Sequence, residues 1–290
     1  MERIKISVPA STSNLGPGFD YLGMSLNLYN EFIFTRSEKI ELLGFSNLKN
    51  NLVLESYLHL FKKLNKEIIP VKIEWTKKDI PTSRGLGSSA SAIIAGVLAS
   101  SYFINHTTSI SDYLINEMIE LEGHRDNLIA ELYGSLVSSI IDDGKCIVYH
   151  HIVNPKLKFL VLIPKYEVST KMAREALPKT LSYSDLTFNA SRALNLVQAF
   201  KDGSIEDLKI VLKDNIHEKY RKEFIKEYND ALNITSKYNA ILKISGSGSS
   251  MLVITTSISS LKDELSSLDL DVIEVNTSKD VSVHLEVLDK

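Results

Sequence analysis

Three short segments of this chain concentrate the residue types that hold anions: Asn14-Leu15-Gly16-Pro17-Gly18-Phe19-Asp20, Pro81-Thr82-Ser83-Arg84-Gly85-Leu86-Gly87-Ser88-Ser89-Ala90-Ser91 and Ser245-Gly246-Ser247-Gly248-Ser249-Ser250. In the second, glycines directly precede an apolar run. Backbone N–H groups and the positive end of a helix starting at Ser88 can therefore converge on a phosphate, while Ser88 and Ser89 add hydroxyls for phosphate or metal. A side chain at Gly87 is expected to fill the space a phosphate needs, so Gly87→Val should remove nucleotide binding and leave the fold intact. Taken alone, such a loop is equally well only a turn.

The better-known phosphate signatures do not fit. Gly85 to Ala90 matches G-x-G-x-x-A, but Lys77-Lys78-Asp79-Ile80-Pro81 separates the glycines from the preceding strand, and no acidic residue ends a following strand. The chain has no G-x-x-x-x-G-K-[ST]. His124-Arg125-Asp126 imitates a protein kinase catalytic loop, yet Glu131 stands where that loop needs Asn and no D-F-G follows. His124 is of interest for another reason: Glu122, Asp126 and Asn127 share its short turn.

The elements that must position these residues read as α+β. Ile4, Ile6 and Val8 alternate as a strand that enters a loop from Pro9 to Gly23. Strands are expected over 26–35 and 71–75, with a helix between them carrying Val53, Tyr57, Leu60, Phe61 and Leu64 behind Asn50-Asn51. The run 88–104 is apolar on nearly every side, which predicts a central buried helix, and a second helix follows over 111–122. Strands at 136–141 and 146–153 lead to Asn154-Pro155-Lys156, the expected boundary between one unit at 1–155 and another at 156–290. The second unit reads β, α, β, β, α, β, a ferredoxin-like order with inserted helices, and Val281, Val283, Leu285 and Val287 form one more strand.

Composition narrows the partners. The 290 residues carry 33 Lys and Arg against 36 Asp and Glu, a net charge of −3, with no basic surplus to bind nucleic acid. The apolar run 90–98 is far short of the ~20 residues of a membrane span, and no signal-like core opens the sequence. With the single cysteine, Cys146, in an apolar stretch, this suits a cytoplasmic protein. Exposed sheet edges in the C-terminal half suit a homodimer.

Taken together and in order, the three segments resemble motifs of the GHMP kinases, the small-molecule kinases named for galactose, homoserine, mevalonate and phosphomevalonate. Val8-Pro9-Ala10-Ser11-Thr12-Ser13-Asn14 through Asp20, and Glu122-Gly123-His124-Arg125-Asp126-Asn127, are similar to the branch that phosphorylates homoserine. Ser169-Thr170-Lys171-Met172-Ala173-Arg174 and Asp214-Asn215-Ile216-His217-Glu218-Lys219-Tyr220-Arg221 agree with it, and the likeness spans residues 4 to about 255. Arg125, Ser249 and Asn215 depart from common family residues.

This resemblance implies a two-domain α+β fold, with an N-terminal ATP-binding half and a C-terminal ferredoxin-like half. It implies transfer of the ATP γ-phosphoryl group to the hydroxyl of L-homoserine, on the route to threonine. It also implies Pro81 to Ser91 around the triphosphate, Asn51 near the adenine, and Mg²⁺ on Ser89 and Glu122. Arg174 and Arg221 would clamp the substrate carboxylate, with Asp20 and Asn14 on its ammonium, Thr170 beside it, and His124 and Asn127 aiming the hydroxyl. Solvated helix faces are the other reading of the two arginines. A different GHMP kinase substrate, or a non-catalytic metabolite-binding relative, is the other reading of the whole.

Overall fold

The computed structural model describes residues 2–45 and 49–288. A first sheet combines β1 (Arg3–Ser13), β2 (Leu22–Arg36), β3 (Glu41–Leu43), β4 (Val71–Lys78), β5 (Leu136–Asp142), β6 (Lys145–His151) and, from the far end of the chain, β11 (His284–Val287). Its main order is β11-β1-β2-β4-β3, and the β5–β6 hairpin joins β2 through Leu22 to Met24. Ile4, Ile6 and Val8 are fully buried while Lys5 and Ser7 are half-buried, so the period of two holds where it was read. β1 nevertheless continues through Pro9 and Ala10, with a register shift between them, and the true loop is 14–21. Pairing with β2 carries the strand past the residues that read as loop.

The second sheet has the order β10 (Leu270–Val275), β7 (Lys158–Pro164), β9 (Met251–Thr255), β8 (Ala240–Ile244), antiparallel throughout. By chain position that is fourth, first, third, second, the ferredoxin-like arrangement. The expected division at 155 and 156 differs at its far end. β11 pairs with β1, not with the second sheet, because Val283 and Leu285 pack on the first core.

The helices are α1 (Leu52–Lys63), α2 (Ser88–Asn105), α3 (Asp112–Glu122), α4 (Asp126–Tyr133), α5 (Thr170–Glu175), α6 (Tyr183–Asp202), α7 (Ile205–Val211), α8 (Glu218–Arg221), α9 (Tyr228–Ser236) and α10 (Ser259–Leu265). Asn51, Ser111, Ser169, Ser182 and Ser204 cap α1, α3, α5, α6 and α7 through their side-chain oxygens. α2 lies buried among α1, α3, α4 and β1. It is long and apolar enough to cross a membrane, a length that the run 90–98 did not suggest, but most of it is buried within the protein. α4 and β3 are elements the pattern did not reveal. A second core joins the sheets, with Ala10, Leu15, Leu22 and Met24 packed in one cluster with Phe159, Val161, Leu252 and Ile254.

Candidate active site

One cleft of about 670 Å³ is lined by residues of all three glycine-containing segments. The start of α2 forms part of that lining. Gly87 occupies the cap position at φ 79° and provides no side-chain cap, so the first-turn N–H groups beside Ser88 and Ser89 are left for an anion. Thr82, Ser83, Arg84 and Gly85 continue this wall.

Backbone contacts hold the segments together. Ser11 N–H donates to the Leu86 carbonyl at 3.2 Å, Gly246 N–H to the Ser13 carbonyl at 3.0 Å, and Ser250 N–H to the Arg84 carbonyl at 3.0 Å. The Ser245 hydroxyl lies 2.7 Å from the Gly85 carbonyl. A Cβ on Gly85 would stand 2.2 Å from the Ser245 carbonyl oxygen, so two glycine turns meet backbone to backbone.

Four of the residues expected on the triphosphate fall outside the lining. Leu86 and Ala90 turn into the core, Pro81 lies before the wall, and the Ser91 hydroxyl accepts from Asn30 Nδ2 and donates to the Ser88 carbonyl, each at 3.0 Å. In the first turn of α2 the 3.6-residue period leaves Ser88 and Ser89 on the cleft and turns Ala90 and Ser91 inward. The Arg84 guanidinium is likewise engaged, donating to the carbonyls of Pro164, Lys165 and Thr82.

Gly87 requires a second correction. A Cβ there would lie 1.8 Å from Glu131 Oε1 and 2.4 Å from Ser11 Oγ, so a side chain would enter a buried hydrogen-bond network behind the loop. Gly87→Val therefore cannot be expected to leave the fold intact.

The Ser89 hydroxyl donates to Glu122 Oε2 at 2.6 Å. Burial raises the Glu122 carboxyl above its usual range and Asp126 adds to this, while His124 and Ser89 oppose it. His124 Nε2 stands 3.8 Å from Glu122 Oε1, and Nδ1 stands 3.2 Å from Asp126 Oδ1, close but not aligned as a hydrogen bond. Burial alone would lower the imidazole pKa. Asp126 and then Glu122 outweigh burial and raise it. The Asn127 amide is engaged at both ends, Nδ2 donating to Ser11 Oγ at 2.8 Å and Oδ1 accepting from Ser13 Oγ at 3.1 Å. One N–H and one lone pair are left for a ligand.

The same cleft is lined by Asn14, Asp20, Thr170, Arg174 and Arg221. Asn14 Oδ1 already accepts from Asp20 N–H at 2.8 Å, which shapes the loop and reduces what it can offer an ammonium group. Thr170 Oγ1 lies 3.2 Å from Ser247 Oγ. Arg174 is exposed on α5, and from there it grips Asp20 with both terminal nitrogens, at 2.9 and 2.7 Å. Arg221 is 1% exposed, donates Nη1 to the Gly246 carbonyl at 2.8 Å, leaves Nε unpartnered, and has no carboxylate in ion-pair contact among the described residues. Burial and the neighbouring Arg174 pull its pKa down to about 10. Phe19 lies beneath both guanidinium groups, 5.5 and 5.2 Å from their centres.

Sequence reading missed a third lobe, where Phe32, Phe45 and Trp75 stack with centroids 5.4 to 6.4 Å apart next to Leu52, Val53 and Ala92. Such a slot suits a flat heterocycle. The available signal was Trp75, the chain's one tryptophan, among polar strand residues. Asn51 lies in this lobe, but its Oδ1 caps α1 by accepting from Leu54 N–H at 3.0 Å.

The model of the GHMP kinases N terminal domain matches residues 51–135. The chain is 38% identical to the homoserine kinase of Clostridium acetobutylicum over 87% of each chain, and 36% identical to that of Clostridium novyi over 86% of this chain and 85% of the other. Among solved structures, homoserine kinase from Cytophaga hutchinsonii superposes with a TM-score of 0.83 at 26% identity, covering 99% of this chain and 98% of that one. With its three glycine-containing segments in order on this fold, the chain belongs to the homoserine kinases of the GHMP kinase family.

Proposed function

We propose that this chain transfers the γ-phosphoryl group of ATP to the side-chain hydroxyl of L-homoserine, giving O-phosphohomoserine and ADP on the route to threonine. The observation that supports this reading best is Arg221, a buried cation in no ion pair among the described residues, in the same cleft as the Asp20–Arg174 pair and an uncapped helix start. A carboxylate compensates the buried charge, an ammonium group finds Asp20, and a triphosphate finds the first turn of α2.

Each lobe then has one task. The aromatic slot takes the adenine. Gly85 to Ser89 hold the triphosphate by backbone N–H groups and hydroxyls. Phosphoryl transfer depends chiefly on placing the two reactants and neutralising charge, so the acceptor hydroxyl must be aimed. His124 and the free N–H of Asn127 serve that purpose, with Asp126 fixing the imidazole. No side chain need act as a dedicated base.

Ser89 and Glu122 are the residues that would hold Mg²⁺. The fit rests on a nearly buried carboxylate touching a hydroxyl, a hard-oxygen pair whose remaining partners would be phosphate and water. When bound, the ion supplies charge neutralisation on the phosphate oxygens.

The test is ATP consumption with homoserine, serine, threonine, mevalonate and galactose in parallel. The reading requires homoserine to be preferred. Preference for mevalonate, which has a carboxylate but no ammonium for Asp20, would overturn it.

A further inference from the structure

Glu131 is fully buried on α4, far from any expected role, yet it lies directly behind the loop that meets the triphosphate. Its Oε1 accepts from the Ser11 hydroxyl at 2.6 Å, and an ideal Cβ on Gly87 would fall 1.8 Å from that same oxygen. Its Oε2 is buried and has no partner, and no Lys, Arg or His makes an ion pair with it among the described residues.

We propose that Glu131 is a positioning residue for phosphoryl transfer, a buried carboxyl that sets the Ser11 hydroxyl, fixes the Asn127 amide through it, and backs the loop at Gly87.

The direction of each hydrogen bond carries the argument. A hydroxyl has one proton to give, and Ser11 gives it to Glu131. Its lone pairs then face Asn127 Nδ2, which donates at 2.8 Å, and the other end of the amide accepts from Ser13 at 3.1 Å. With an apolar residue at 131, Ser11 could instead donate to the amide oxygen, and the two ends of Asn127 would exchange places toward the cleft. Glu131 thus decides which atom of Asn127 meets the substrate.

The surroundings disfavour the charged form. Burial pushes the Glu131 carboxyl well above its usual range, Ser11 opposes this, and Glu122 and Asp126 push it further up. An ionised group here would compete with the triphosphate for the positive end of α2. A neutral one provides shape and an acceptor without that competition.

The inference rests on the assignment of the Gly85 to Ser89 loop to ATP and of Asn127 to the acceptor hydroxyl. The experiment compares Glu131→Gln, Glu131→Leu, Ser11→Ala and the Glu131→Leu/Ser11→Ala double variant by kcat and by KM for each substrate, with circular dichroism to check folding. Glu131→Gln keeps an uncharged acceptor and should stay within about 3-fold of wild-type kcat, whereas Glu131→Leu and Ser11→Ala should lose about 10-fold or more with homoserine KM nearly unchanged. The double variant should be no worse than the poorer single one, because both break one relay. A purely structural role would lower thermal stability and leave kcat per folded molecule unchanged. Wild-type kcat in folded Glu131→Leu, or in Ser11→Ala should the leucine variant not fold, overturns the inference; so does Glu131→Gln as impaired as Glu131→Leu. A wild-type chain without homoserine-dependent ATP consumption overturns the functional reading itself, and the inference falls with it.

Discussion

Asp20 and Arg174 meet in a two-pronged ion pair, Nη1 to Oδ2 at 2.9 Å and Nη2 to Oδ1 at 2.7 Å, one residue from the first glycine segment and the other from α5. A zwitterion such as homoserine can replace both partners at once, its carboxylate taking Arg174 and its ammonium taking Asp20. A ligand with one charge strands the other partner. Both side chains are partly exposed, so solvent screening keeps the pair weak enough to exchange.

From this exchange we expect Asp20→Asn to raise the homoserine KM about 10-fold while leaving 4-hydroxybutyrate, which lacks the amino group, unchanged or improved. Arg174→Leu should weaken both. The quantity to measure is the ratio of kcat/KM for the two substrates; an unaltered ratio in Asp20→Asn would make Asp20 a loop brace only.

Arg221 should behave differently because it is buried and makes no ion pair among the described residues. Arg221→Leu is expected to raise the homoserine KM about 100-fold with ATP KM little changed, in line with a charge-assisted hydrogen bond of about 1.5–3 kcal/mol. Its melting temperature should hold or rise, since a buried unpaired cation destabilises the fold. A large drop in melting temperature with an unchanged KM would make Arg221 a structural residue.

Trp75 is the only tryptophan in the chain and lines the aromatic lobe. Intrinsic fluorescence should therefore change on adding ATP and not on adding homoserine. Trp75→Leu should raise the ATP KM several-fold, about 1–2 kcal/mol of lost stacking, with homoserine KM unchanged. A flat fluorescence titration with ATP under turnover conditions would move the adenine elsewhere.

Two glycines with left-handed backbones should respond unequally to alanine. At Gly87, φ 79°, a Cβ would collide with Glu131 and Ser11, whereas at Gly123, φ 80°, nothing among the described residues would lie within 4 Å of it. Gly123→Ala is expected to cost about 1 kcal/mol from backbone conformation alone, and Gly87→Ala several times that or failure to fold. Chemical denaturation of both variants provides the comparison; equal losses would contradict the close packing at Gly87.

His217 gives a pH dependence. Burial pushes its imidazole below the ordinary 6.5, Asp214 opposes this, and Nε2 lies 3.1 Å from the Gly16 carbonyl, to which it donates. The folded pKa is depressed, so the unfolded chain takes up the proton first. The stability it confers is whole above about 6.5 and is lost as pH falls below that value, by up to about 1.4 kcal/mol per pH unit. His217→Asn should flatten that part of the stability profile relative to wild type, and parallel profiles would show that His217 is not its source.

The sequence by itself determined the three glycine segments, the buried helix that follows the second, and the ferredoxin-like order of the C-terminal half, because turn chemistry and hydrophobic periodicity are local properties of a chain. Only the tertiary structure decided what those segments touch. Asp20 and Arg174 are 154 residues apart and Ser11 and Glu131 are 120 apart, separations over which no local pattern reports a contact. The aromatic lobe was illegible for the same reason, since Phe32, Phe45 and Trp75 come from different segments and stack only once β2 and β4 pair. α4 went unread because its buried Asp126, Asn127 and Glu131 look like a solvated face until the helix is packed against β1 and β2. The return of β11 to β1 depends on pairing between the two ends of the chain, which backbone hydrogen bonding and a shared core fix and composition does not.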